Sequence, residues 1–88
     1  MSIESTTIPN DTRYLRMADL TDKERRILTM LVLDYGIDDM AHDLCISRNY
    51  VYLLIRQLRV RFLAKTNIAL VVRALAIGLI SPDGKFLK

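Results

Sequence analysis

Five apolar side chains, Val51, Leu54, Ile55, Leu58 and Phe62, recur at i, i+3, i+4, i+7 and i+11. On a helix that spacing makes one stripe, whereas on a strand it scatters across both faces. Residues 48–63 are therefore predicted to be helical, although VYLLI alone would pass for a strand by propensity. Asn49, Tyr52, Arg56 and Arg59 lie opposite the stripe. A chain of 88 residues forms one domain and buries only about 60% of its unfolded surface, so such a helix must find apolar partners close by. The composition supplies them, 51% of the residues being hydrophobic.

An earlier helix is announced by TDKE, where Thr21 as N-cap and Glu24 three residues on form a capping box. Ile27, Leu28 and Leu31, with Met30 on the flank, continue it, and DYG at 34–36 ends it, with Gly36 expected in the left-handed conformation. A short helix is predicted at about 37–44, with Asp38 and Asp39 favourably placed near its N-terminus. Ser47 then caps the striped helix. A fourth helix, NIALVVRALAIGL at 67–79, is apolar nearly all round and broken only by Arg73. In so small a domain it must be the central element or meet a second copy. SPDG stops it, Pro82 forbidding continuation. Four helices and no strand candidate predict an all-α domain.

Residues 1–10, rich in Ser, Thr, Glu, Pro and Asn, are predicted to be flexible and disordered. Asp11 to Ala18 could form a short extra helix with Tyr14 and Leu15 packing down. The chain thus divides into an N-terminal tail (1–19), a helical domain (20–80) and a C-terminal tail (81–88).

Charge is distributed unevenly. Residues 1–43 hold five basic and nine acidic side chains, whereas residues 44–82 hold six basic and no acidic ones. Thirty-nine residues without a carboxylate point to an anionic partner for the second half. No apolar run approaches the roughly 18 residues of a membrane span. The N-terminal stretch has no apolar core of a secretory signal, and a single cysteine fits the reducing cytoplasm. Asp38, His42 and Cys45 share a helix face at metal-ligand spacing, but a site would need a fourth ligand, and Cys45 reads more simply as a small buried turn residue. Cys45 with His42 lacks the orienting third group that nucleophilic catalysis needs. With no phosphate-cradling glycine loop either, no enzyme, metal or cofactor is expected.

The junction between the second and third helices carries the functional signal. Met40, Leu44, Ile46, Val51 and Leu54 are apolar, with small Ala41 and Cys45 where two backbones would approach. That pattern fits two short helices crossing through a tight turn, the helix-turn-helix arrangement whose second helix faces the DNA major groove.

LTDKERRILTML, MAHDLCIS, Val51 and LAIGLI together resemble the LuxR/GerE-type DNA-binding domain. The correspondence runs without gaps from Leu20 to Ile80, about 61 of the 88 residues. Leu20, Thr21, Glu24, Leu28, Leu31, Ala41, Leu44, Ile46, Ser47, Val51, Val71, Ala74, Gly78 and Leu79 match the family pattern identically. There are departures. Tyr52 stands where the family has a DNA-facing Lys, and Leu54 stands at its His. Asp34 occupies its Gly before the second helix, and Phe62-Leu63-Ala64 replaces its Leu-Gly-Val.

The resemblance implies a DNA-binding transcriptional regulator, nucleoid-associated when bound. It also implies homodimerisation through the C-terminal helix, for which Ile68, Val72, Ala76 and Ile77 are candidates. On the residues themselves, Arg48 and Arg56 are candidate DNA contacts, Arg56 with the donors for guanine or phosphate. Asn49 and Gln57 suit adenine edges, Tyr52 and Leu53 a thymine methyl or sugar. Arg59, Arg61 and Lys65 suit phosphate, with solubility as the plainer role for the first two. If Met1 is the true start, the receiver or signal-binding domain that many such proteins carry is absent. RNA polymerase is a possible partner by family expectation. Tyr50, Tyr52, Leu53, Val60 and Leu63 also support a second reading, a protein-interaction module that pairs with another LuxR-type regulator.

Overall fold

Thr21 opens the first long helix. Its hydroxyl accepts a hydrogen bond from the Glu24 N–H at 3.1 Å, and the Glu24 carboxylate accepts from the Thr21 N–H at 2.8 Å, the reciprocal cap that TDKE predicts. The computed structural model describes residues 12–88. Among these residues there are four α-helices and no strand: α1 (Asp22–Val32), α2 (Ile37–Leu44), α3 (Arg48–Arg61) and α4 (Asn67–Ala76). The disorder expected for residues 1–10 lies outside the described residues.

All four helices end in the same way. After α1 the Tyr35 N–H reaches back to Met30 O and the Asp34 N–H to Leu31 O, with Asp34 at φ +66°. The same pair of bonds closes α2 around Cys45 (φ +56°), α3 around Leu63 (φ +55°) and α4 around Gly78 (φ +73°). These are Schellman turns, whose left-handed residue is usually glycine. Only α4 uses one. Gly36, expected to take that role after α1, is extended instead and precedes α2, because the turn closes two residues earlier on Asp34. Aspartate tolerates the left-handed region better than most residues.

Leu63 has no such tolerance, and its side chain is largely outside the core. A left-handed leucine costs roughly 1–2 kcal/mol. Leu63→Gly is therefore expected to stabilise the domain by about 0.5–1 kcal/mol, the remainder being lost to unfolded-chain entropy. A thermal melt checks this, and a lowered midpoint would contradict it.

α4 is three residues shorter than predicted. Pro82 is not the stop. Gly78 turns the chain first, which carries Leu79 and Ile80 into the core. The C-terminal residues then fold back. Ile80 bridges Phe86, the Ser81 N–H donates to Lys85 O at 2.8 Å, and the Leu87 N–H to Leu79 O at 2.8 Å. The Ser81 hydroxyl and the Lys85 N–H donate to the Asp83 carboxylate and hold its pKa below the usual carboxylate value. This hairpin sits on α1, where the Thr29 hydroxyl donates to Gly84 O at 2.9 Å. Gly84 is at φ +85°, and a Cβ there would stand 2.9 Å from Thr29 Cγ2. Residues 81–88, set apart as a tail on sequence grounds, are thus seated against the domain.

In place of the short helix expected at 11–18 there are two 3-10 turns, Thr12–Tyr14 and Met17–Asp19. Tyr14 faces solvent rather than packing down, while Leu15 is half-buried against the core. The Met17 N–H donates to Lys88 O at 2.6 Å, so the segment pairs with the end of the chain instead of continuing as a helix.

The core joins the predicted stripe of α3 to Ile27, Leu28 and Met30 of α1, Met40 and Leu44 of α2, and Leu70 and Ala74 of α4. α3 packs against α1, α2 and α4. Its remaining face is open.

Candidate nucleic-acid interface

α3 starts at Ser47, whose hydroxyl accepts from the Tyr50 N–H at 3.0 Å. With Val51, Leu54, Ile55 and Leu58 buried, the helix period dictates what points away from the core. Asn49, Leu53, Arg56 and Val60, at i, i+4, i+7 and i+11, form the outermost line, and all four are exposed. Tyr52 (53% exposed) and half-buried Arg59 flank it on one side, Gln57 and Tyr50 on the other.

The cations of this region divide into tied and untied groups. Arg48 Nε lies 3.1 Å from the Asp38 carboxylate in the first turn of α2. Arg61 donates to Asp19 O at 2.8 Å and lies 3.7 Å from Glu24, itself buried at the start of α1. Arg73 donates to Phe62 O at 3.4 Å. Arg56, Arg59 and Lys65 have no hydrogen bond or ion pair among the described residues. Leu53, Arg56 and Gln57 line a groove of about 640 Å³ with Val60 and Arg61, walled by Thr21, the N-cap of α1, and Glu24 in its first turn. Arg48, Asn49 and Lys65 lie outside it; Lys65 is exposed in the α3–α4 loop.

Sequence reasoning missed two partners. Asp38, placed by the sequence near the α2 N-terminus and at metal-ligand spacing with His42 and Cys45, instead reaches Arg48 on the next helix. Thr21 and Glu24 were read only as a cap, yet they form one wall of the α3 groove. Nothing in local sequence signals either contact, because each depends on how two helices cross.

α4 presents Ile68 (77% exposed), Val72 (55%) and Ala76 along one line. Ile77 leaves that line, half-buried against the core as the α4 C-cap. Ile68 and Val72 border a groove of about 460 Å³ whose other walls include Leu31, Tyr35, Ile37 and Met40. Tyr35, not among the residues singled out from sequence, adds an exposed ring to this apolar surface.

Cys45 is exposed, not buried as expected. Its left-handed backbone closes the α2 turn, and Ile46 goes inward in its place. Among the described residues no three His, Cys, Asp or Glu side chains converge as a metal site would require, those of Asp38, His42 and Cys45 included.

The fold defines an all-α domain of four short helices, none of the described ones long and apolar enough to cross a membrane. Comparison with known proteins finds no matching family model, no matching curated protein and no matching solved structure.

Proposed function

We propose that this chain is a dimeric DNA-binding transcriptional regulator of the LuxR/GerE helix-turn-helix type, acting in the cytoplasm and not as an enzyme. α3 enters the major groove, and α4 joins the two copies. The observation that carries the reading is the open face of α3. It combines an untied guanidinium at Arg56, amides at Asn49 and Gln57, and further free cations at Arg59 and Lys65. Those groups match guanine, adenine and phosphate respectively. Backbone conformation adds support. Asp34 and Leu63, two positions where the resembling family has glycine and this chain does not, both adopt the left-handed conformation.

A second reading is favoured by one observation. Tyr50, Tyr52, Leu53, Val60 and Leu63 are all exposed on or just beyond α3, and tyrosine is enriched in protein interfaces. A protein-interaction module that pairs with another regulator would use that surface. Salt separates the two. Binding to random-sequence duplex DNA through about four or five phosphates per subunit falls steeply as salt rises. A mainly apolar protein interface barely responds.

The Arg48–Asp38 pair yields a further expectation. Asp38 occupies Arg48 and places negative charge where α2 would near the backbone phosphates. Asp38→Asn should raise affinity for random duplex about threefold to tenfold at moderate salt and steepen the log–log salt slope by about one. Fluorescence anisotropy across a salt series measures both. Unchanged affinity would mean that this end of α3 stays clear of DNA.

A further inference from the structure

Leu53 stands between Asn49 and Arg56 on the outermost line of α3, 41% exposed. A helix that docks by this line brings Leu53 against base edges, because the residues on both sides of it along the line face the same way. Major-groove edges are polar except at one point, the C5-methyl group of thymine. Against a ring nitrogen, a carbonyl oxygen or an amino group, the leucine would take water from a polar atom and offer no hydrogen bond in return. Against the methyl, apolar surface is buried on both partners.

We infer that Leu53 is a specificity-determining residue that selects thymine through its methyl group. The inference rests on the reading of α3 as the DNA-reading helix. Arg56 lies three residues further on, about 4.5 Å along the axis, which is between one and two base-pair steps of roughly 3.4 Å. The preferred half-site therefore carries a thymine within two base pairs of the guanine that the Arg56 fork can hold. Asn49, about 6 Å away in the other direction, faces the base pairs on the opposite side of that thymine.

The test uses the full chain and duplexes selected from a random pool. Each thymine of the selected sequence is replaced in turn by deoxyuridine, which removes the methyl and leaves base pairing intact. Affinity should fall about fourfold at one position per half-site, the value of one buried methyl. Leu53→Ala, an exposed change to a stronger helix former, should bind the thymine and deoxyuridine duplexes equally at that position. The inference is overturned if every replacement is neutral in the unsubstituted protein. It is also overturned if the penalty persists in Leu53→Ala, or if the pool yields no preferred sequence while random DNA is still bound. Absence of any DNA binding by the folded protein at low salt would instead remove the reading of α3 itself.

Discussion

Phe62→Ala should remove about half of this protein's folding stability. Phe62 is fully buried, directly after the last turn of α3, in the cluster shared with α1 and α4. Removing a buried phenyl ring costs about 3–5 kcal/mol in lost transfer energy and cavity. A domain this small has a total stability of roughly 5–10 kcal/mol. The melting midpoint should drop by about 20 °C, or the transition should lose cooperativity. Val60→Ala, a change on the exposed side of the same helix, should stay within about 0.5 kcal/mol and serves as the control. Equal melting of the two variants would show that the end of α3 is not seated in the core.

The second large effect is expected on α4. Ile68→Glu combined with Val72→Glu should give a folded monomer. Ile68 is the second residue of the helix, where a carboxylate complements the helix dipole, and glutamate is a good helix former at position 72. Both side chains are mostly exposed in the single chain, so the core is untouched. Four new negative charges across a two-fold interface would oppose association of two copies. Paired recognition helices bind an inverted repeat by avidity, with half-sites about 34 Å apart. Losing the proposed dimer should weaken that binding about 100-fold or more, with the helical circular dichroism signal retained. A dimeric sedimentation mass in both the variant and the unsubstituted chain would assign dimerisation to another surface, and a monomeric unsubstituted chain would contradict the proposed dimer.

The parts of the fold that were readable in the sequence are those set by contacts within one turn or one helix. Thr21 with Glu24 and Ser47 with the Tyr50 N–H are local caps, and both helix starts fall where predicted. The α3 stripe is a local period, and every member of it is buried. The helix ends were harder to read. Cys45 and Leu63 turn the chain in a conformation that their side chains do not favour, and Asp34 in one that aspartate only tolerates, so residue type does not mark these ends. The early stop of α4 depends on Leu79 and Ile80 being worth more in the core than in another helical turn. The C-terminal hairpin depends on a contact between Thr29 and Gly84, 55 residues apart in the chain. For the candidate site, the outward face of α3 follows from the stripe opposite it. The state of its charges does not, because Asp38 and Glu24 reach Arg48 and Arg61 from other helices.

Arg56 carries the most direct test of the proposed DNA-reading face. It is the one guanidinium on the outermost line of α3, it lines the groove there, and it has no partner among the described residues. Its removal should therefore leave the fold intact while taking away the principal donor of the proposed DNA interface. The measurement is binding of the unsubstituted chain and of Arg56→Ala to random-sequence duplex DNA at several salt concentrations, with circular dichroism to verify folding. The expected result is salt-sensitive binding that weakens about tenfold or more in the variant, the range of one to three kcal/mol that such an arginine contributes. A folded protein that binds no DNA even at low salt, or an Arg56→Ala variant that binds as tightly as the original, would contradict the assignment of α3 as the DNA-reading helix.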